Sequence, residues 1–411
     1  MKVLWLSNVL FPEVCKVLGV KVPVVGGWMY SGAKALLKES SELQLGIISF
    51  YDGHDLKIID KKPVTYYLVP KKNIASYVGG VEECFVEIKK EFKPNITHIH
   101  GSEYPHSRAY INSCGIENVV LSIQGLVSIY AKYYFGGIKF IAPTLRDLLR
   151  SDSIKQQQKN MEQRGKMEIE LLQNVKYFIG RTSWDKNHIW NNNPAANYFF
   201  CNETLREVFY TKEWRFSKCQ PHSVFLSQAH YPIKGLHQVI KALSIVLNHF
   251  PKTIVYVAGN NFVSVPKYKR NGFASYINNL MDEYNVRKQF IFLGVLNEEQ
   301  MVEQYLRANV FVCPSVIENS PNSVGEAQLL GTPCVASYVG GTMDMIIHKQ
   351  TGLLYRFEEF SMLAEHMCNL FSDRQLCEEI SRNGQDIAKK RHDPKKNAQN
   401  LLKIYQTISN Q

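Results

Sequence analysis

The chain has 411 residues, 45% of them hydrophobic and 21% charged, and carries a formal net charge of +11. That length exceeds what one hydrophobic core usually supports, so two domains are expected, and the balanced composition excludes a disordered, collagen-like or low-complexity chain. The basic charge is compatible with nucleic acid, anionic lipid or anionic small substrates, and by itself selects none of them.

The amino-terminal apolar stretch is broken by Asn8, Pro12 and Glu13, too early for the apolar core of a signal peptide, and reads as a first strand. No run approaches the ~20 apolar residues of a membrane-crossing helix, so an integral membrane protein is not expected. The 9 cysteines are scattered and contain no C-x-x-C pair. Such usage suits reduced thiols in a cytoplasmic protein better than a disulfide frame or a zinc site.

Runs rich in Val, Ile, Tyr and Phe fall at residues 2–7, 45–50, 65–69, 96–100, 119–123, 176–180 and 197–201, with helical patterns between most of them. A second series occupies 223–227, 253–258, 290–294, 310–314 and 334–337. The charged stretch 202–221 between them has no clear period and reads as the linker. Helical patterns at 358–370 and 373–390 follow, then one at 395–408 that no strand follows and that is expected to pack back on the first domain. Strand and helix alternation of this kind predicts an α/β chain of two Rossmann-like, doubly wound domains facing across a cleft, with ligands at the carboxyl ends of the strands. The expected domains are 1–205 and 206–390, with a C-terminal helical segment at 391–411.

The most informative segment is P-S-V-I-E-N-S-P-N-S-V-G-E-A-Q-L-L-G-T-P, residues 314–333. Ser320 followed by Pro321 reads as N-cap and first helical residue, starting a helix that ends near Leu330 and Gly331. The amides at its start would suit phosphate or sugar oxygens. Ser323, Glu326, Ala327 and Leu330 share one stripe, so Glu326 needs a hydrogen-bonding partner on a mostly small, apolar face. Taken singly, Glu318 reads more readily as a solvated loop acid and Glu326 as an ordinary first-turn acid, because acids near helix starts are common for purely structural reasons.

The whole segment, however, resembles the signature of retaining GT-B glycosyltransferases of family 4, in which two glutamates are separated by seven residues. Glu318 and Glu326 match that spacing, and Pro321, Ala327, Gly331 and Pro333 are also in pattern. The resemblance implies that Glu318 binds hydroxyls of the donor sugar and Glu326 the ribose of the nucleotide. It further implies that the backbone from Asn319 through Ser320 and Asn322 to Ser323 holds donor oxygens.

Three more stretches of the second half resemble the same family. Residues 339–354 match its Gly-Gly-x-x-Glu…Thr-Gly-Leu-Leu stretch, with Asp344 in place of Glu. Residues 227–237 match its Gly-Arg…Lys-Gly stretch through Lys234 and Gly235, which implies a donor-phosphate role for Lys234. The usual Arg is absent, and Gln228, Ala229 or His230 stands near its place. Residues 292–301 resemble the loop flanking the nucleotide base, which assigns Gly294 to the donor.

The likeness over the first half is looser. Gly26 and Gly27 stand where the family's glycine loop meets donor and acceptor, although a Gly-Gly pair also suits a plain tight turn. Gln124 stands where relatives carry His, and an amide can hydrogen-bond a sugar hydroxyl but cannot relay a proton. With Glu318 and Lys234 it completes the expected catalytic set. His100 and Arg181 are assigned to the acceptor. For the first, a core histidine is an equal alternative to a ligand; for the second, a structural ion pair with Asp185 is an equal alternative to an acceptor phosphate. Residues 143–166 combine leucines with Arg146, Arg150, Lys155, Lys159, Arg164 and Lys166, readable as an anionic-membrane contact or as a solvated helix.

The function these resemblances imply is a retaining transfer of a sugar from a nucleotide diphosphate sugar to a hydroxyl of a glycan or lipid-linked acceptor, in cell-surface polysaccharide biosynthesis. No cofactor, no metal and no nucleic acid are expected, and the place expected is the cytoplasm, peripheral to the inner membrane face. The alternatives are a nucleotide-sugar epimerase of the same architecture and a basic module that binds membrane or nucleic acid.

Overall fold

The computed structural model describes residues 1–24, 26–71 and 80–410. Val25, within the glycine stretch 24–29, and Gln411, which ends the segment 391–411, lie outside the described residues. The chain forms two compact units, one of Met1–Ile129, Glu162–Leu205 and His392–Gln411, the other of Tyr130–Met161 and Arg206–Arg391.

The first unit is built on β1 (Lys2–Leu6), β2 (Gln44–Tyr51), β3 (Lys57–Lys61), β4 (Val64–Pro70), β5 (Ile96–His100), β6 (Val119–Ser122), β7 (Tyr177–Gly180) and β8 (Asn197–Phe200). They lie in the order β3-β4-β2-β1-β5-β6-β7-β8, parallel except for the antiparallel pair β3 and β4. Successive side chains of a strand point to opposite faces, and the two cores follow that parity. Val3, Trp5, Leu45, Ile47, Ile96 and Val120 enter one core, while Leu4, Leu6, Ile48, Phe50, Ile99 and Leu121 enter the other. The first core also takes Ile404, Tyr405 and Ile408 of the last helix, Pro394–Ser409. That helix has an apolar stripe to bury and no following strand, and it lies against the helix Gly27–Glu39 and β5.

The second unit holds β9 (Gln220–Leu226), β10 (Ile254–Ala258), β11 (Phe290–Gly294), β12 (Ala308–Cys313), β13 (Cys334–Ser337) and β14 (Leu353–Tyr355). The order is β11-β10-β9-β12-β13-β14, all parallel. Both faces of the central strands are buried, which is why β12 reads as the near-continuous apolar run A-N-V-F-V-C.

Several expectations need correction. Residues 130–161, expected in the domain 1–205, group with the second unit. The Thr144 hydroxyl donates to the Arg270 carbonyl at 2.9 Å, and Asp147 accepts the Gly272 amide at 2.7 Å. The first apolar stretch contains a short helix after β1, Pro12–Leu18, with Pro at its start and Gly19 at φ 66° closing it. Two strands carried too weak a pattern to be read. β3 is an edge strand with only Ile59 buried among charges, and β14 has three residues. Among the described residues no helix is long and apolar enough to cross a membrane.

Candidate active site

In the second unit, β9 and β12 are neighbours, so the loops leaving their carboxyl ends meet. The β9 loop ends in a turn, Pro232–Lys234, followed by Gly235 at φ 71°. A Cβ on Gly235 would lie 1.7 Å from the Pro314 carbonyl oxygen, so the close approach of these two loops requires glycine there. The contact is fastened by the Val316 amide, which donates to the Ile233 carbonyl at 2.8 Å. The Gly340 turn is similarly close, since a Cβ there would lie 1.9 Å from the Glu318 carbonyl oxygen, and the Gly341 amide donates to that oxygen at 3.0 Å. The glycines at 340 and 341 thus hold the backbone of Glu318.

This clamp brings Lys234 and Glu318 together. Lys234 Nζ is 2.5 Å from Glu318 Oε1, which also accepts the Ser315 hydroxyl at 2.7 Å. All three side chains are largely buried. Burial pulls the Lys234 pKa down, but the Glu318 charge and Tyr231 outweigh it and hold the ammonium well above its usual range. The Lys234 ammonium also lies over the Tyr231 ring, 5.7 Å from its centroid. The Tyr130 hydroxyl is deeply buried beside Glu318 and Lys234 and accepts the Asn319 amide, its pKa raised by burial first and then by the Glu318 charge. His230, near the place of the missing Arg, is kept neutral by burial and by Lys234.

The helix after Glu318 runs Asn322–Leu330, with Pro321 at the N-cap and no side-chain cap. It begins one residue later than expected, and Ser320 does not cap it. The Ser320 hydroxyl points to Met345 Sδ instead, at 3.6 Å. Gly331 closes the helix at φ 81°. Ser323 sits in its first turn, where its carbonyl accepts the Tyr305 hydroxyl at 3.1 Å.

Glu326 has its partner in Arg206, whose Nη2 and Nε reach Oε1 at 2.6 and 3.2 Å, while the Tyr305 hydroxyl approaches Oε2 at 3.4 Å. Burial raises the Glu326 pKa, and Arg206 opposes that rise. Gly294 ends β11 at φ 75° with open space beyond it, and its carbonyl accepts the Gly259 amide at 2.9 Å.

The first unit has its own cavity of ≈ 60 Å³ at the carboxyl ends of its strands. His100, Gln124 and Arg181 line it together with Trp5, Trp28 and Glu203. His98 is a core histidine, holding the Tyr405 and Ser122 hydroxyls at 2.6 and 2.5 Å. His100 lies against it, the rings tilted by 30° with centroids 3.9 Å apart, and both His100 ring nitrogens are buried without a hydrogen-bond partner. Burial holds the His100 pKa at about 3, so the ring is neutral.

Arg181 is ion-paired, but with Glu203 rather than Asp185. Its other arm donates to the Ile123 and Gln124 carbonyls at 3.1 Å each. Asp185 instead accepts the Arg181 backbone amide at 3.1 Å. Gly26 caps the helix Gly27–Glu39 at φ 78°, and a Cβ there would meet the Val9 side chain at 2.4 Å, so backbone conformation and packing together favour glycine.

Ser315, Tyr130, Tyr231, Arg206, Tyr305 and Glu203 were not singled out from the sequence. Local spacing could have flagged Ser315 and Tyr231, each three residues before its partner. Arg206 lies 120 residues from Glu326, and nothing in a single sequence joins them. Among the described residues no group of three or more His, Cys, Asp or Glu side chains is placed to hold a metal ion, and all nine cysteines are free thiols.

Residues 211–387 match the family model described as Glycosyl transferases group 1. An uncharacterized glycosyltransferase of Methanocaldococcus jannaschii is 31% identical over 121 residues, 29% of this chain and 28% of that one. The capsular polysaccharide biosynthesis glycosyltransferase CapM of Staphylococcus aureus is 25% identical over 158 residues, 37% of each chain. These matched segments span well under half of the curated relatives' own length. Among solved structures, sucrose-phosphate synthase from Thermosynechococcus elongatus superposes with a TM-score of 0.73 at 17% identity over 99% of both chains. HepE of Anabaena, solved in complex with UDP-glucose, gives 0.67 at 16% over 100% of both. The fold is therefore the GT-B fold, with two Rossmann-like domains.

Proposed function

We propose that the chain transfers a sugar from a nucleotide diphosphate sugar to a hydroxyl of a glycan or lipid-linked acceptor, with retention of anomeric configuration, in cell-surface polysaccharide biosynthesis. The observation that carries this reading is the buried Lys234, Glu318 and Ser315 cluster, fixed just ahead of a helix whose first amides have no side-chain cap. A cation and the amino-terminus of a helix suit a diphosphate, and a carboxylate suits the paired hydroxyls of a sugar. The match over residues 211–387 and the UDP-glucose bound by the structurally similar HepE support it.

In this reading a donor phosphate takes over part of the Lys234 charge now held by Glu318, and the freed carboxylate turns to sugar hydroxyls. Glu326, oriented by Arg206, receives the ribose, with Asn319, Ser320, Asn322, Ser323 and Gly294 along the donor. The acceptor oxygen attacks the anomeric carbon on the face of the leaving group. The bond from that carbon to the phosphate oxygen breaks, and the acceptor proton passes to the departing phosphate. Lys234 and the helix amides stabilise the negative charge that develops there, the task a metal ion performs elsewhere. In the first unit, Gln124 and the neutral His100 offer hydrogen bonds to a hydroxylated acceptor, with Arg181 beside them.

A thermal-shift screen of nucleotide sugars tests the donor, because a ligand specific for the native state stabilises according to its occupancy. The donor that shifts Tm is then incubated with acceptor, and the anomeric configuration of the product is read by NMR. Conversion of the donor alone would replace this reading with epimerisation. No shift with any nucleotide sugar would end it.

A further inference from the structure

In the second unit, the helix Leu145–Arg150 presents the wrong side to water. At ~100° per residue, Leu145, Leu148 and Leu149 share one face and Asp147 lies opposite. The leucines are 72, 64 and 79% exposed, whereas Asp147 is 1% exposed. Asp147 is satisfied inward, accepting the Thr144 amide at 3.1 Å, the Gly272 amide at 2.7 Å and Arg146 at 3.0 Å. The capping box of Thr144 and Asp147 therefore locks the leucines outward.

A second segment shares this surface. Arg270 accepts the Thr144 hydroxyl on its carbonyl, which fixes the turn Lys267–Lys269 beside the helix. Tyr268 at its tip is 76% exposed, and Phe140, just before the helix, is 71% exposed. Lys139, Arg150, Lys267 and Lys269, each next in sequence to one of these side chains, are exposed as well. The only acids in residues 131–161 and 259–275 are Asp147 and Asp152, and both pair with Arg146. Arg146 is thereby engaged within the fold and takes no part in the exposed charge.

We propose that Phe140, Leu145, Leu148, Leu149 and Tyr268, flanked by Lys139, Arg150, Lys267 and Lys269, form a docking surface that inserts into an anionic lipid bilayer. Individually protruding apolar side chains fit a fluid interface, which closes around each of them. A protein partner would need a matching pocket for every tip. Amphipathic aromatic rings favour the headgroup level, and the flanking cations are drawn to anionic lipid. This inference deepens the reading above by naming the surface that would carry the chain to a lipid-linked acceptor, but its test needs no sugar transfer, so either can fail alone.

The experiment is cosedimentation of the full chain with vesicles of phosphatidylcholine containing 30 mol% phosphatidylglycerol, as a composition of about physiological charge. Wild type is expected to bind these vesicles and to bind pure phosphatidylcholine at least about tenfold more weakly. L148S/L149S/Y268S should lose binding by at least about tenfold with Tm unchanged, because these side chains are exposed. K139Q/R150Q/K267Q/K269Q should lose binding similarly and should no longer respond to salt. Wild type that stays in the supernatant with anionic vesicles, or variants that sediment like wild type, would overturn the proposal. So would light scattering that shows a wild-type dimer dissolved by L148S/L149S/Y268S without loss of vesicle binding, since a second copy would then cover this face.

Discussion

Lys234 Nζ and Glu318 Oε1 stand 2.5 Å apart although 84 residues separate them in the chain. Their pairing depends on the Gly235 backbone lying against the Pro314 carbonyl. Each charge satisfies the other in a buried setting, where an unpaired charge is costly. Donor binding would have to redistribute that pairing, so the two residues should separate in their kinetic effects from those around Glu326.

Glu318→Gln should lower kcat by roughly 10²–10³, the usual loss on removing one charge-stabilising group, while the donor Kd changes only a few-fold. Calorimetric titration with the donor and steady-state rates measure the two quantities separately. A loss confined to Kd would reverse the role assigned to Glu318.

Glu326→Ala should weaken nucleotide binding and also destabilise the fold, because it leaves the largely buried Arg206 guanidinium without its carboxylate. Breaking one side of such a pair costs about 3–5 kcal/mol. Glu326→Gln keeps a hydrogen-bond acceptor for Arg206, and should lose nucleotide affinity with a smaller fall in Tm. If both variants keep wild-type affinity for the nucleoside diphosphate, Glu326 serves the fold alone.

Gly235→Ala should be destabilising out of proportion to one methyl group. The residue sits at φ 71°, and its Cβ would overlap the Pro314 carbonyl oxygen at 1.7 Å. The loops must part, carrying Lys234 away from Glu318, so activity should fall together with Tm. A variant with wild-type Tm and rate would show that the clamp is not needed.

Transfer should survive excess EDTA, since Lys234 and the helix amides already supply positive charge to the phosphates. Rates with and without chelator, then with added Mg²⁺ or Mn²⁺, measure this. Loss restored by a divalent ion would show that the reaction needs a metal.

Burial raises the Glu103 pKa from its ordinary 4.5 to about 8, with the Glu168 charge adding to the rise. Between those values the folded chain keeps a proton that the unfolded chain releases, so stability from this group is full below about pH 4.5 and is lost as pH rises towards 8. The slope reaches ~1.4 kcal/mol per pH unit. Urea unfolding between pH 6.5 and 8 should show this fall in the wild type and a flatter profile in Glu103→Gln. The window is chosen because the buried His100 and His106, both held near 3, change their linkage only below about 6.5. Parallel profiles for wild type and variant would mean that Glu103 is ionised in the native state.

Local order was legible from the sequence because it has local causes. The parallel strands were visible as apolar runs, since burial on both faces leaves no alternative composition, and the resemblance of residues 314–333 to a known signature singled out Glu318 and Glu326. Gly235 and Gly331 were readable as special positions because only glycine tolerates their backbone. Edge strand β3 escaped notice because one buried Ile59 leaves no periodic signal. The stretch 143–166 reads either as a membrane contact or as a solvated helix, and it is the inward pairing of Asp147 with Gly272 that turns Leu145, Leu148 and Leu149 to solvent. The partner of Arg181 proved to be Glu203 rather than the nearby Asp185, and the partner of Glu326 an arginine 120 residues away. Residue type and spacing determine which groups can carry charge or bend the chain; which charge meets which is decided by strand order, because pairing in a buried site depends on proximity in space that a single chain's spacing does not encode.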